Sequence, residues 1–283
     1  MDVRQPPAAV EVRLREAERA ENFPVASRLL PAAVRTHLRA VYDVVRTIDD
    51  LGDEADRDRA EHLRRFADDL ALVWSGEPRA PVLRRLVPTA QACGLDRDTF
   101  NRLIAANLQD QSVSRYETWS ELIAYCWLSA APIGRLVLAV FGADADAVTE
   151  WESDRVCTAL QLLEHWQDVA EDRRRGRTYL PAEDLASAGV PEADLDAPGT
   201  SPALRRLLAR ETARAVAVLD SGASIVGRLE GWARVAVAGY VAGGRAAADS
   251  LRRCDFDVLG RPTRTRRRDV ARHLCTGLIG SVR

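Results

Sequence analysis

Asp49 and Asp53 stand four apart in Asp49-Asp50-Leu51-Gly52-Asp53-Glu54. Asp168 and Asp172 repeat the interval about 120 residues later, in Gln167-Asp168-Val169-Ala170-Glu171-Asp172. On a helix that spacing stacks both carboxylates on one face. Two such faces turned toward each other would present hard oxygen ligands to Mg²⁺, and Mg²⁺ so held can bind a diphosphate. The chemistry suggested is ionisation of a diphosphate ester. One acidic pair alone carries little weight, because surface helices often place Asp and Glu at this interval; Asp68-Asp69, on an arginine-rich helix, reads as merely solvated. The chosen segments differ in interrupting apolar helices, where uncompensated like charges cost roughly a few tenths of a kcal/mol each.

Neighbouring residues strengthen the reading. Arg46 lies three before Asp49 and Tyr42 seven before, so both share roughly that face, and Arg46 can meet a diphosphate oxygen. Asp50 is a further carboxylate candidate. In the second segment Glu164 precedes Asp168 by four, so Glu164, Asp168 and Asp172 form a three-turn acidic stripe, with Gln161 one turn earlier. Such a stripe supplies metal ligands from one rigid element.

The elements that must position these residues are helical nearly throughout. Ala, Leu, Arg and Glu dominate and strand-like alternation is missing. Pro31 opens a helix to Asp50 with Val34, Leu38, Val41, Val45 and Ile48 at helical spacing. Further helices are expected over 57–74, 81–92, 96–112, 118–142 and 144–173, with Pro132 starting, kinking or interrupting one of them. After a long connection with a short helix beyond Pro181, helices resume at 201–220, 222–229, 231–254 and 264–275. The expectation is a single all-α domain over 18–283, packed around one cavity, after an N-terminal extension of 1–17.

The 283 residues can bury a real core, and a net charge of −2 gives no global pull toward nucleic acid. All 40 basic residues are arginine, so any anion clamp uses the guanidinium fork. Five cysteines without a CxxC pair argue against a disulfide framework or zinc site and fit a reducing cytoplasm. The N-terminus has no apolar signal core, and no uninterrupted apolar run reaches 18 residues. The basic cluster Arg261–Arg268 reads as an active-site lid or an anionic membrane face as readily as a nucleic-acid surface.

Four segments in order resemble the squalene/phytoene synthase family, from about Glu18 to Arg268. Glu21-Asn22-Phe23-Pro24-Val25-Ala26-Ser27 resembles its N-terminal substrate-contacting segment, and Tyr42 to Glu54 its first aspartate-rich motif. Tyr125-Cys126-Trp127-Leu128-Ser129-Ala130-Ala131-Pro132-Ile133-Gly134 resembles the central segment. Leu160 to Asp172, followed by Gly176-Arg177-Thr178-Tyr179-Leu180-Pro181, resembles the second motif and its exit. The Asn-Phe-Pro-Val-Ala-Ser start, His165-Trp166-Gln167-Asp168 and the Asp257 to Pro262 stretch are similar to the hydroxysqualene synthase branch of the bacterial hopanoid pathway. The resemblance implies an isoprenoid-synthase bundle that ionises presqualene diphosphate with Mg²⁺ and captures the rearranged cation with water, giving hydroxysqualene. Pathway enzymes before and after it are implied as partners.

The departures concern Glu164, where the family usually has Asn; Gln167, where head-to-head condensing relatives carry Arg; and Gly243-Gly244, where some place a cavity-facing Tyr, leaving room for water. The resemblance implies metal ligation by Asp49, Asp50, Asp53, Glu164, Asp168 and Asp172, and substrate contact by Asn22, Phe23, Arg46, Gln167 and Arg261. Tyr42 and Tyr125 are expected to line the cavity. His165 is a candidate base for water capture, set against its reading as a satisfied structural histidine. Leu122, Ile133, Val137 and the small residues of 236–244 would shield a cation or simply pack helices. Peripheral membrane contact is expected, because a thirty-carbon substrate partitions into lipid. The alternatives are a squalene or dehydrosqualene synthase condensing two farnesyl diphosphates, and a non-catalytic helical scaffold.

Overall fold

Side-chain caps and apolar periodicity set the helices. Thr118 and Glu121 form a reciprocal capping box, and Asp96, Asp146 and Ser201 each accept a first-turn amide. The computed structural model describes residues 30–53, 58–261 and 263–280. Asn22, Phe23, Glu54 and Pro262, and the 1–17 extension, lie outside the described residues. The helices run α1 (Ala32–Asp53), α2 (Arg59–Ala71), α3 (Pro81–Cys93), α4 (Arg97–Gln109), α5 (Trp119–Ser129) and α6 (Ala131–Val140). They continue with α7 (Ala147–Gln167), α8 (Val169–Arg174), α9 (Ala182–Ser187), α10 (Pro202–Gly222), α11 (Ile225–Arg228), α12 (Gly231–Arg253) and α13 (Arg267–Gly280). Among the described residues there is no strand, only an isolated bridge between Arg115 and Thr178. The all-α expectation holds.

Two long expected helices are divided. The 118–142 segment breaks at Ala130, with Pro132 in the first turn of α6, where its missing N–H costs nothing. The 144–173 segment breaks at Asp168, whose φ of −105° and ψ of 15° leave the helical region. Allowing a few charges, Trp119–Phe141 is long and apolar enough by composition to cross a membrane, but 50% of its window is buried within the protein, as core helices are. Asp69 is not merely solvated, contrary to expectation: its two carboxylate oxygens accept the backbone N–H groups of Arg79 and Ala80, each at 2.7 Å. That fixes the approach to α3.

The chain resolves into two compact units, Met1–Ser112 with Pro132–Ala145, and Val113–Ala131 with Asp146–Arg283. In the first, α1 packs against α2, α3 and α4. Its core is Leu38, Val44, Ile48 and Leu51 of α1 against Leu63, Leu83 and Phe100. In the second, α7 packs against α10 and α12, and α12 carries α13. Here the approach is close. A Cβ on Gly244 would lie 2.9 Å from Cδ2 of both Leu160 and Leu219, so this glycine admits neighbouring helices rather than water. The expected space at Gly244 is therefore filled, because leucine side chains of α7 and α10 occupy it.

Candidate active site

In the first unit, α1 delivers Tyr42, Arg46, Asp49, Asp50 and Asp53 from one unbroken helix. Tyr42 is half-buried on it and Asp53 is exposed at its last position. Arg46 Nε lies 2.8 Å from Asp50 Oδ1, an i,i+4 ion pair that occupies Asp50 with its own helix's cation. Asp49 is different. Asn107 of α4 donates from Nδ2 to Asp49 Oδ1 at 3.2 Å, and Gln111 donates from Nε2 to the Gly52 carbonyl at 3.1 Å. Loss of water pushes the Asp49 carboxyl up to about 7, with Asp53 and Asp50 adding to it, while the Asn107 hydrogen bond and Arg46 act the other way.

In the second unit, the break at Asp168 governs the geometry. The expected stripe of Glu164, Asp168 and Asp172 does not lie on one rigid element: Glu164 is exposed on α7, Asp168 sits at the junction, and Asp172 belongs to α8. Hydrogen bonding nonetheless bridges the junction, from Asp168 N to Glu164 O at 2.9 Å and from Asp172 N to Asp168 O at 2.8 Å. The backbone turns without losing its partners. Asp168 stands where a helix cap would, yet its side chain makes no capping hydrogen bond, so the carboxylate is left for another task. Desolvation pushes it up to about 6, reinforced by Asp172 and Glu171.

His165 is buried beneath this junction. Its ring stacks on Tyr179 with centroids 3.6 Å apart and planes 12° from parallel. Gln161 Nε2, a donor, lies 3.2 Å from His165 Nε2, which assigns the ring proton to Nδ1. Nδ1 faces Asp172 Oδ2 at 3.7 Å, a charge contact longer than a hydrogen bond. Burial lowers the His165 pKa, opposed by Asp172. Tyr125 is buried beside the stack, 5.8 Å from Tyr179 and 5.3 Å from Tyr116 by ring centroids. A solvent-open recess of about 220 Å³ touches His165, Asp172, Arg177 and Tyr179.

Gln167 donates from Nε2 to Ser250 Oγ at 2.8 Å, tying the end of α7 to α12. Arg261 is exposed on the segment that follows, where Thr263 Oγ1 lies 3.5 Å from the Gln167 carbonyl. Asp257 pins that segment, accepting the Thr200 N–H at 3.1 Å and meeting Arg205 at 3.1 Å. The structure thus gathers Tyr42, Arg46, Asp49, Asp50 and Asp53 in one unit. It gathers Tyr125, Glu164, His165, Gln167, Asp168, Asp172 and Arg261 in the other. Sequence reasoning missed Asn107, Gln111 and Tyr116, and quoted Tyr179 without a role. An amide interrupting the apolar run Leu103-Ile104-Ala105-Ala106-Asn107-Leu108 was the available signal.

Among the described residues no three His, Cys, Asp or Glu side chains converge as a ready-made metal cage. The donor set still suits a hard divalent cation. Asp172 Oδ2 is buried without a hydrogen-bond partner, and Asp49 and Asp168 are crowded by neighbouring carboxylates in surroundings that oppose their ionisation. A cation held at either motif would relieve the carboxylates of that motif.

Two aspartate pairs in an all-α scaffold accord with the family match, which places the protein among the prenyl-diphosphate-utilising synthases. The chain belongs to the squalene/phytoene synthase family, whose profile matches residues 17–269. It is 34% identical over 228 residues to hydroxysqualene synthase of Rhodopseudomonas palustris, covering 79% of this chain and 76% of that one. It is 36% identical over 193 residues to phytoene synthase of Arthrospira platensis, covering 63% and 62% respectively. The crystal structure of squalene synthase HpnC from Alicyclobacillus acidocaldarius matches with a TM-score of 0.79 and 36% identity over 89% of this chain and 97% of that chain.

Proposed function

We propose that the protein converts presqualene diphosphate to hydroxysqualene, with Mg²⁺ as cofactor and release of diphosphate. The observation that carries this reading is Gln167. Immediately before the second aspartate pair stands a neutral amide, locked to Ser250, where condensing relatives are expected to hold a cation. A site that must grip two diphosphates needs that charge; a site that ionises one does not. The relative named hydroxysqualene synthase supports this branch, whereas the similarly close phytoene synthase and squalene synthase support the family-level assignment.

In this reading Asp49 and Asp53 hold cation at one motif, and Asp168 and Asp172 at the other. Asp50 is assigned instead to orienting Arg46, whose guanidinium would meet a diphosphate oxygen. Mg²⁺, when bound, neutralises the charge that develops on the departing diphosphate. The carbon–oxygen bond breaks with its electron pair leaving on diphosphate, the carbocation rearranges, and water adds with loss of a proton. In the same reading His165 supports Asp172 rather than accepting the proton, because Gln161 engages one ring nitrogen and the other faces a carboxylate. The exposed arginines Arg264, Arg266, Arg267 and Arg268 suit peripheral contact with an anionic lipid surface that holds the substrate.

The test is incubation of the purified full chain with Mg²⁺ and presqualene diphosphate, without NADPH, and separately with farnesyl diphosphate, followed by mass spectrometry of the lipids. Hydroxysqualene from presqualene diphosphate alone is the expected result. Turnover of farnesyl diphosphate would place the protein with the condensing enzymes and overturn the branch assignment.

A further inference from the structure

We propose that Asn107 is a positioning residue for Asp49, and that position 52 is glycine in order to seat its amide. The inference rests on the reading of Asp49 as a cation ligand. Asn107 comes from α4, 58 residues from Asp49 along the chain, and its Nδ2 reaches Asp49 Oδ1 at 3.2 Å. The same nitrogen donates to the Leu103 carbonyl at 3.2 Å, one turn back on its own helix. Both amide hydrogens are therefore used, and the direction of the side chain is set. One Asp49 oxygen accepts the amide hydrogen, which orients the carboxylate and leaves its second oxygen available to a cation.

Gly52 lies three residues after Asp49, within the last turn of α1. Glycine inside a helix is unfavourable because it orders a freer backbone, so its presence there calls for a reason. A Cβ at position 52 would stand 2.2 Å from Asn107 Oδ1 and 3.1 Å from its Cγ. The amide occupies the volume that any side chain would take. Gln111, one turn beyond Asn107, completes the fit by donating to the Gly52 carbonyl at 3.1 Å and to the Asn107 carbonyl at 2.8 Å. That carbonyl belongs to the last turn of α1, where helical partners run out. The two amides thus read one face of the motif, Asn107 its carboxylate and Gln111 its backbone.

The consequence is a coupling between two residues on different helices. Gly52→Ala should displace the Asn107 amide and so act on Asp49 in the same direction as Asn107→Ala, with no further loss when it is added to Asn107→Ala. A role for Asn107 in helix packing alone predicts the opposite pattern: lower thermal stability with unchanged cation binding.

The experiment measures Mn²⁺ binding by electron paramagnetic resonance of the free ion, in the presence of inorganic diphosphate, on the full chain. Wild type, Asp49→Asn, Asn107→Ala, Gly52→Ala and the Gly52→Ala/Asn107→Ala double variant are compared, with thermal midpoints recorded for each. Asp49→Asn should abolish or strongly weaken binding. Asn107→Ala should weaken it by about 10- to 100-fold, as loss of an outer partner does at metal sites. Gly52→Ala should weaken it in the same direction, and the double variant should match Asn107→Ala. Unchanged binding in Asn107→Ala or Gly52→Ala, when Asp49→Asn weakens it, overturns the positioning role alone. Single effects that multiply in the double variant overturn the seating role of Gly52. Unchanged binding in Asp49→Asn overturns the cation reading and the inference together. Gly52→Ala keeps the test decisive should Asn107→Ala fail to fold.

Discussion

Asp49 sits near the end of an unbroken helix and is steered by a neutral amide from another helix. Asp168 and Asp172 straddle a break between two helices, and their neighbour is an imidazole stacked on a tyrosine. The spacing in sequence is identical, but the mechanical solutions differ. On α1 the helix itself sets the separation of Asp49 and Asp53, and only the rotation of Asp49 needs an outside partner. At α7–α8 the helix is interrupted at Asp168, so Asp172 needs support from its neighbours. His165 and Tyr179 provide it within a buried aromatic group that also includes Tyr116 and Tyr125. An interval of four between aspartates thus specifies a shared face but not how rigidly that face is held.

The largest expected effect tests whether both pairs are needed. Asp49→Asn and Asp172→Asn should each lower turnover of presqualene diphosphate by at least about a hundredfold, the scale of a lost electrostatic contact to developing charge. A large loss at one position and none at the other would confine the chemistry to one motif. Next comes His165→Phe, which keeps a ring on Tyr179 and removes the proton facing Asp172. Turnover should fall roughly 10- to 100-fold, with the Mg²⁺ concentration needed for half-maximal rate rising in step.

A stability measurement separates the two environments further. Asp49 is raised from 3.8 to about 7 and Asp168 to about 6. Each therefore binds more protons in the folded than in the unfolded chain between pH 4 and those values. Metal-free protein should lose stability as pH rises from about 4, until about 6 for the Asp168 contribution and about 7 for that of Asp49. Chemical denaturation across this range should show the slope flattened more by Asp49→Asn than by Asp168→Asn. Equal flattening would mean the two sites are equally desolvated. The smallest effect on activity is expected from Gly244→Ala, which forces Leu160 and Leu219 apart. It should cost roughly 1–3 kcal/mol of stability by overpacking, read from denaturant midpoints, while turnover stays within a few-fold of wild type.

The helices, their order and both motifs were legible because apolar residues recur at the helical period and Pro31, Pro132 and Gly76 punctuate them. The break at Asp168 was not. Glu164 to Asp172 continues the helical pattern without proline or glycine, and the turn is maintained by backbone bonds that no composition reveals. Asp69 shows a related limit, since its two backbone partners are supplied by the loop folding back at Arg79 and Ala80. Asn107 was invisible for the same reason at longer range: its significance depends on which helix lies opposite. The glycine at 244 read as open space because sequence reports the missing side chain and not the leucines that fill its place.

Stability engineering would meet a trap in α1. A helical glycine is among the first positions that a designer would convert to alanine, and at Gly52 the gain in helix propensity would offset part of the cost of moving a single amide. The same exchange would push aside the amide that aims Asp49. A thermostabilised version of this protein could then be well folded, easily purified and catalytically poor, its defect created by a methyl group on a residue that touches neither metal nor substrate.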